Sequence, residues 1–236
     1  MEGVGFHEVV ITRDHSRSIA EFSLKEIELL INAYQIRYRQ LIEEECVRYV
    51  SIFKNYGEEA GATIYHPHSQ IIALPVMPSD VMNSLKGAQN YFKKNKACAH
   101  CTMTNWERKQ KKRIVFENEL AVAFCPFISR KAFEIRIFPK LHQPYFEQTD
   151  FEGMKKIAEA LRVSLAKLFK GLKDPAYNFF IHTAPIESSE KWHYYHWHIE
   201  ILPKTGIWAG FELGTGIEVS SIEPERAAQF LRNIKI

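Results

Sequence analysis

Alternation and helical spacing divide the chain into short strands and long amphipathic helices. Residues 8–12 (Glu-Val-Val-Ile-Thr) read as a short strand. Ser23 is then a helix N-cap, and Glu26 three residues later completes a capping box. Leu24, Ile27, Ile31, Tyr34, Tyr38 and Leu41 recur on one side of a helix expected to run to about Glu45. Val47 to Phe53 predicts a strand. Asn55-Tyr56-Gly57 and Ala60-Gly61 are turn signals, and a helix is expected near 78–94. Leu120–Phe124 and Phe133–Phe138 predict two more strands. A helix follows over about 150–171, with Ile157, Ala160, Leu161, Leu165 and Leu168 at helical spacing, then a strand from Tyr177 to Ile181. Glu223-Pro224 opens a final amphipathic helix to about 233.

The order of these elements repeats. His15 precedes His66 by 51 residues and His142 precedes His196 by 54, each pair bracketing a helix and a strand. Matching order and spacing predict a duplicated α+β unit with its boundary at 95–97. The halves are expected to be 1–95 and 96–236.

At the same place in each half lies a histidine-rich strand. Tyr65-His66-Pro67-His68-Ser69-Gln70 opens the apolar run Ile71 to Pro75, and His196-Trp197-His198-Ile199-Glu200 opens Ile201 to Pro203. A strand sends residues i and i+2 to one face, so His66 and His68 project together with Gln70 beside them. Such a face suits a phosphate, a metal, or both. A neutral imidazole is a good nucleophile near pH 7, and an amide can donate to a phosphate oxygen. Thr63 and the Gly61-Ala62 backbone amides could add a small anion-binding turn.

Composition narrows the class. The 236 residues are 46% hydrophobic, enough for a sizeable core. A net charge of +3, from 31 basic and 28 acidic residues, gives no argument for nucleic acid or membrane as partner. The basic runs 93–96 and 108–113 read as solvated faces near the boundary. No apolar run reaches membrane-spanning length, and the start lacks a signal-peptide pattern. Four cysteines are few; Cys46 and Cys125 read as reduced core residues, which fits a cytoplasmic protein.

Phe6-His7-Glu8-Val9-Val10, Asp14-His15-Ser16, Phe53-Lys54-Asn55, the His-Pro-His-Ser-Gln core and Gly210-Phe211-Glu212 stand in an order that resembles the galactose-1-phosphate uridylyltransferase family, within the histidine-triad superfamily. The resemblance covers essentially the whole chain, and ADP-glucose phosphorylase shares the core motif. It implies an α+β, histidine-triad-like fold built as two tandem repeats of antiparallel sheet with flanking helices. It also implies a ping-pong reaction. His68 attacks the α-phosphate of UDP-glucose, glucose 1-phosphate leaves, and galactose 1-phosphate then takes the uridylyl group from the histidine. Gln70 cannot titrate, which favours transfer over hydrolysis. By the same resemblance Asn55, Gly61, Ala62 and Thr63 bind nucleotide and phosphates. The resemblance also implies that Glu212 and Glu218 contact sugar hydroxyls at a neighbouring subunit's site, and hence a homodimer; the family pattern has Gln where Glu218 stands. A related nucleotidyltransferase or phosphorylase acting on ADP-glucose, or an inactive metal-stabilised nucleotide-binding remnant, are the alternatives.

Metals follow from the same placement. Cys98 and Cys101 with His142 and His196 make a tetrahedral zinc set, in which His193 could replace His196. In the family His182, His196 and His198 can instead bind a second, iron-type metal. His15 and His66 match two ligands of a first-half zinc site. The family's N-terminal C-x-x-C, which supplies the other two, is not matched, so a shortened first half with an exposed sheet edge is expected.

Overall fold

The computed structural model describes residues 3–186, 191–207 and 209–236. Fourteen principal elements follow one another: β1 (Phe6–Ile11), α1 (Leu24–Leu41), β2 (Tyr49–Tyr56), β3 (His68–Leu74), α2 (Ser79–Asn95), α3 (Ala99–Gln110), β4 (Ile114–Glu117), β5 (Ala121–Phe124), β6 (Ile135–Pro139), α4 (Phe151–Gly171), β7 (Tyr177–His182), β8 (His198–Pro203), α5 (Gly210–Thr215) and α6 (Pro224–Asn233). The eight strands form one continuous sheet in the order β1-β3-β2-β7-β8-β6-β5-β4. Every neighbouring pair is antiparallel. Across the β2/β7 junction the order is mirrored: β1-β3-β2 faces β7-β8-β6, and strand–helix–strand–strand recurs in chain order on each side.

Period-2 patterning decides which face of the sheet is packed. In β3, Ser69, Ile71 and Ala73 are buried under α1, while His68, Gln70 and Ile72 are half-buried on the opposite face. The core on the α1/α4 side joins Ile27, Ile31 and Tyr34 to Ile157, Leu161 and Leu165, with Ile52, Ile71, Ile199 and Ile201 beneath. In the second half α3 covers the other face, where Met103 packs on Ile114, Val122, Phe124 and Phe138. With both faces covered, every residue of β5 is buried. Among the described residues the histidine-bearing face of the first half has no such cover, and Val9 and Ile11 of edge strand β1 are exposed there.

The expected capping box at Ser23 and Glu26 is present, with both reciprocal bonds. The helix stops at Leu41 rather than near 45. Glu43, Glu44 and Glu45 would have placed three carboxylates on the negative end of the helix dipole. Three elements lay outside the sequence expectation: α3, β4 and the short α5. α3 turns polar residues inward, burying Thr104 and Glu107, so apolar periodicity could not reveal it. β4 begins beside Arg113, which was expected in a solvated basic run and is instead buried. Its guanidinium holds Glu107 at 2.8 Å and Glu225 of α6 at 2.5 Å.

Arg113→Met leaves the buried Glu107 carboxylate without its cation. The expected cost is about 3–5 kcal/mol, read as a lower denaturation midpoint; Arg226→Met, in an exposed pair with Glu223, should cost under about 1 kcal/mol. Lys167 is also inside, donating to the carbonyls of Leu231 (2.9 Å) and Ile234 (2.8 Å) at the end of α6. No helix among the described residues is long and apolar enough to cross a membrane.

Candidate functional site

Backbone carbonyls order the histidines at the start of β3. His66 Nε2 donates to the Thr12 carbonyl at 2.8 Å, and Thr12 returns bonds from its N–H (3.3 Å) and Oγ1 (3.0 Å) to the Pro67 carbonyl. His68 Nδ1 lies 2.8 Å from the His66 carbonyl. A carbonyl can only accept, so Nδ1 carries the hydrogen, and in the neutral form of the ring Nε2 then has the free lone pair. Gln70 Oε1 is 2.8 Å from His7 Nε2 on β1. With His7 donating, the Gln70 NH₂ is left to donate elsewhere.

Beneath these residues is a lysine. Val50, Ile52 and Lys54 share the buried face of β2, and Lys54 is only 1% exposed. Its Nζ donates to the His68 carbonyl at 2.7 Å, and no carboxylate pairs with it among the described residues. Burial pushes its pKa down to about 8 from the ordinary 10.5. Between those values the unfolded chain binds more protons at this position, so the lysine's contribution to stability should grow as pH rises from about 8 to 10.5. Chemical denaturation of wild type and Lys54→Met across that window checks the sign, because the variant should lack that increment.

A cavity of about 1120 Å³ opens at this end of the sheet, large enough for a nucleoside diphosphate sugar. Asn55, Gly61, Ala62, Thr63, Lys54 and His66 are among the residues lining it, and its wall reaches Pro67, the neighbour of His68. The structure thus gathers the expected Asn55, Gly61, Ala62 and Thr63 around one space. One expectation needs correction. The Gly61 N–H bonds the Glu58 carbonyl (2.8 Å) and the Ala62 N–H bonds the Gly57 carbonyl (3.1 Å), so these amides are used inside the turn and do not form an anion cradle.

Gly57 stands at φ +81, and a Cβ there would lie 2.6 Å from that of Ala176. Gly57→Ala should therefore displace the 57–63 turn. The expected result is weaker nucleotide binding and roughly 1–3 kcal/mol of lost stability, measured by calorimetric titration and melting. Asn178 on β7 donates to Asn55 Oδ1 and to the Ala60 carbonyl, each at 2.8 Å. Glu212 and Glu218 do not line this cavity. Glu212 accepts from the Ala209 N–H at 3.0 Å, and Glu218 lies 3.4 Å from Arg130 Nε.

In the second half Cys98, Cys101, His142 and His196 converge, with ligand atoms all within 4.8 Å of one another. Cys98 caps α3, Cys101 lies in its first turn, His142 follows β6 and His196 precedes β8. The Nδ1 atoms of His142 and His196 reach Cys101 Sγ at 3.2 and 3.3 Å. One thiol proton cannot serve two imidazole acceptors, whereas two sulfurs and two nitrogens suit a tetrahedral zinc ion. His142 Nε2 donates to the His193 carbonyl at 2.7 Å, which fixes Nδ1 as its metal-facing atom. His193 therefore supports the cluster through its carbonyl, and His196 supplies the ring. Hydrogen bonding, first from Cys101 and then from His142 and His196, holds the Cys98 thiol well below its ordinary range.

With His196 committed, the second-metal set becomes His182, His198 and Glu200, again within 4.8 Å. Burial keeps the His198 pKa well below its usual value, so its ring is neutral. Arg136 Nε already stands 3.3 Å from Glu200 and offsets its charge. In the first half the His15 and His66 rings are 4.6 Å apart between centroids, and no third ligand joins them among the described residues.

Lys54, Asn178, Arg136 and the role of Glu200 escaped sequence reasoning. The available signal was a polar residue at a strand position whose neighbours two residues away are apolar, as with Ile52 and Lys54.

Comparison with known proteins agrees with this arrangement. Residues 4–233 match the family described as Domain of unknown function (DUF4921). The chain is 35% identical to the ADP-glucose phosphorylase of Arabidopsis thaliana, over 99% of this chain and 66% of that protein. It is 31% identical to the galactose-1-phosphate uridylyltransferase of Thermotoga maritima, over 100% of this chain and 76% of the relative. The crystal structure of the Arabidopsis phosphorylase with bound ADP-glucose superposes with a TM-score of 0.91 at 34% identity, covering 99% of this chain and 75% of that one. The chain thus spans just under two thirds of the plant enzyme's length and about three quarters of the bacterial one's. Sequence shared with the Thermotoga enzyme over the full chain, together with a fold that superposes on the Arabidopsis one, establishes that the chain belongs to the galactose-1-phosphate uridylyltransferase family.

Proposed function

We propose that the chain transfers a nucleotidyl group from a nucleoside diphosphate sugar to a phosphate-bearing acceptor through a covalent histidine intermediate. The observation that carries this reading is the His68 Nδ1 bond to the His66 carbonyl, which leaves Nε2 free as a nucleophile on the residue next to Pro67, in the wall of a nucleotide-sized cavity. His68 Nε2 would form a bond to the α-phosphorus as the bond to the bridging oxygen breaks, and the sugar 1-phosphate departs. The His66 carbonyl then faces an imidazolium N–H, whose positive charge strengthens that hydrogen bond. An oxygen of the acceptor phosphate takes the nucleotidyl group in the second half-reaction and returns His68 to the neutral state. Gln70, its oxygen held by His7, would donate to a phosphate oxygen.

The donor we assign first is UDP-glucose, with galactose 1-phosphate as acceptor. The likeness to ADP-glucose phosphorylase favours a second reading with ADP-glucose as substrate. Glu212 and Glu218 lie away from their own chain's cavity, which supports a homodimer in which they serve the partner's sugar. The mirrored strand order supports reading 1–95 and 96–236 as descendants of one duplicated unit. Zinc at Cys98, Cys101, His142 and His196 would be structural, and its thiolates suit the reducing cytoplasm.

Isotope exchange without acceptor tests the reading. Labelled glucose 1-phosphate should enter UDP-glucose, ADP-glucose, or both, because a covalent intermediate can be reversed by the first product alone. No exchange with either donor, from folded and metal-loaded protein, would leave a nucleotide-binding remnant.

A further inference from the structure

We infer that Asn178, on the second half's β7, sets the orientation of the Asn55 side chain, so that Asn55 presents its NH₂ group to the phosphates of a nucleotide. The inference rests on reading the cavity as a nucleotide site, and it makes Asn178 a positioning residue for that site.

The geometry leaves one arrangement. Asn55 and Asn178 are paired directly across β2 and β7. The Asn178 side chain has two neighbours at 2.8 Å, the Ala60 carbonyl and the Asn55 amide. A backbone carbonyl can only accept, so the Asn178 atom facing Ala60 must be nitrogen. That nitrogen carries two hydrogens. One goes to Ala60, the other points at Asn55, and Asn55 must answer with its oxygen. The Asn55 NH₂ is then turned away from Asn178 toward Gly61, where a built Cβ would lie 4.0 Å from it.

This orientation matters because the turn's own amides are spent. The N–H groups of Ala60, Gly61 and Ala62 are bonded inside the turn. An oxygen facing the cavity would repel a phosphate, whereas the NH₂ attracts it. The Asn178 bond to Ala60 also ties the turn itself to the second half's strand, so one side chain fixes both the donor and the loop beside it.

Two substitutions separate orientation from mere bracing. Asn178→Ala frees Asn55 to adopt either orientation, and its affinity for ADP and UDP should fall only a few-fold. Asn178→Asp cannot donate and accepts from the Asn55 NH₂, which turns the Asn55 oxygen toward the phosphates. Its affinity should fall at least tenfold below that of Asn178→Ala, with the isotope-exchange rate at saturating donor changed much less than the half-saturating concentration. In an Asn55→Ala background the gap between the Ala and Asp variants should close. A gap that persists there would reflect the added charge and overturn the inference, as would equal affinities of the two single variants. A second measurement needs no substitution at 178. In ¹⁵N-asparagine-labelled wild type, ADP or UDP must shift the Asn55 side-chain NH₂ signals, and unchanged signals at saturation overturn the inference alone. Wild type that binds neither ADP nor UDP overturns the nucleotide reading and the inference with it.

Discussion

His68→Asn is expected to abolish isotope exchange between sugar 1-phosphate and nucleotide sugar, a loss on the order of 10⁴-fold or more, while the protein melts within a few degrees of wild type. The loss is large because the histidine supplies the bond-forming atom, and no other group can take the nucleotidyl moiety in its place. The fold should survive because His68 is half-buried on the uncovered face of the sheet, and the strand's anchoring side chains are its neighbours. Ser69 Oγ accepts from the Tyr34 hydroxyl at 2.5 Å, and Ile71 is fully buried. An asparagine side-chain nitrogen can still donate to the His66 carbonyl in place of Nδ1. Single-turnover release of sugar 1-phosphate, with circular dichroism as the control, reads both quantities. Wild-type turnover in a folded His68→Asn protein would remove His68 from the reaction.

Cys98→Ser is expected to lower bound zinc by about one ion per chain and the melting temperature by roughly 10 °C, together. The four ligands come from the α3 N-terminus, the loop after β6 and the segment before β8, so the ion would join three parts of the second half. A serine oxygen is a poor substitute for a thiolate, and removing one ligand of four opens the site to water. For a chain of this size a loss of about 3–5 kcal/mol corresponds to that temperature shift. Cys46→Ser, at a half-buried cysteine outside the cluster, should leave metal content unchanged. Elemental analysis alongside calorimetry checks both. A Cys98→Ser protein with wild-type metal content and melting temperature would contradict a structural ion at this cluster.

Elements with one apolar stripe were legible in the sequence. The α1 stripe from Ile27 to Leu41 and the α4 stripe from Ile157 to Leu168 fall where spacing places them, because each buries one face on the sheet. α3 was not legible, because its inner face carries Thr104 and Glu107, and the partners that satisfy them are brought by the fold. The Cys98, Cys101, His142 and His196 cluster was legible in part. Local spacing gives Cys98 and Cys101, but only the tertiary structure decides between His193 and His196, since the two differ in whether ring or carbonyl faces the cluster.

The site shows the same division. His68 and Gln70 could be placed on one face by alternation alone. The groups that hold the site could not, because His7 bonds Gln70, Lys54 the His68 carbonyl and Asn178 Asn55, each across strand pairings set by the sheet. The Gly61-Ala62 amides were misread for a related reason. A turn sequence shows that donors exist, while only the turn's own hydrogen bonds show that they are already used.

The most direct test of nucleotidyl transfer through His68 is the mass of the intact protein after incubation with UDP-glucose, and separately with ADP-glucose, in the absence of acceptor. The expected result is a single nucleotidyl adduct that maps to the peptide containing His68 and is discharged by a sugar phosphate or inorganic phosphate. Folded, zinc-loaded protein that gains no adduct from either donor, or carries the adduct on another residue, would contradict it.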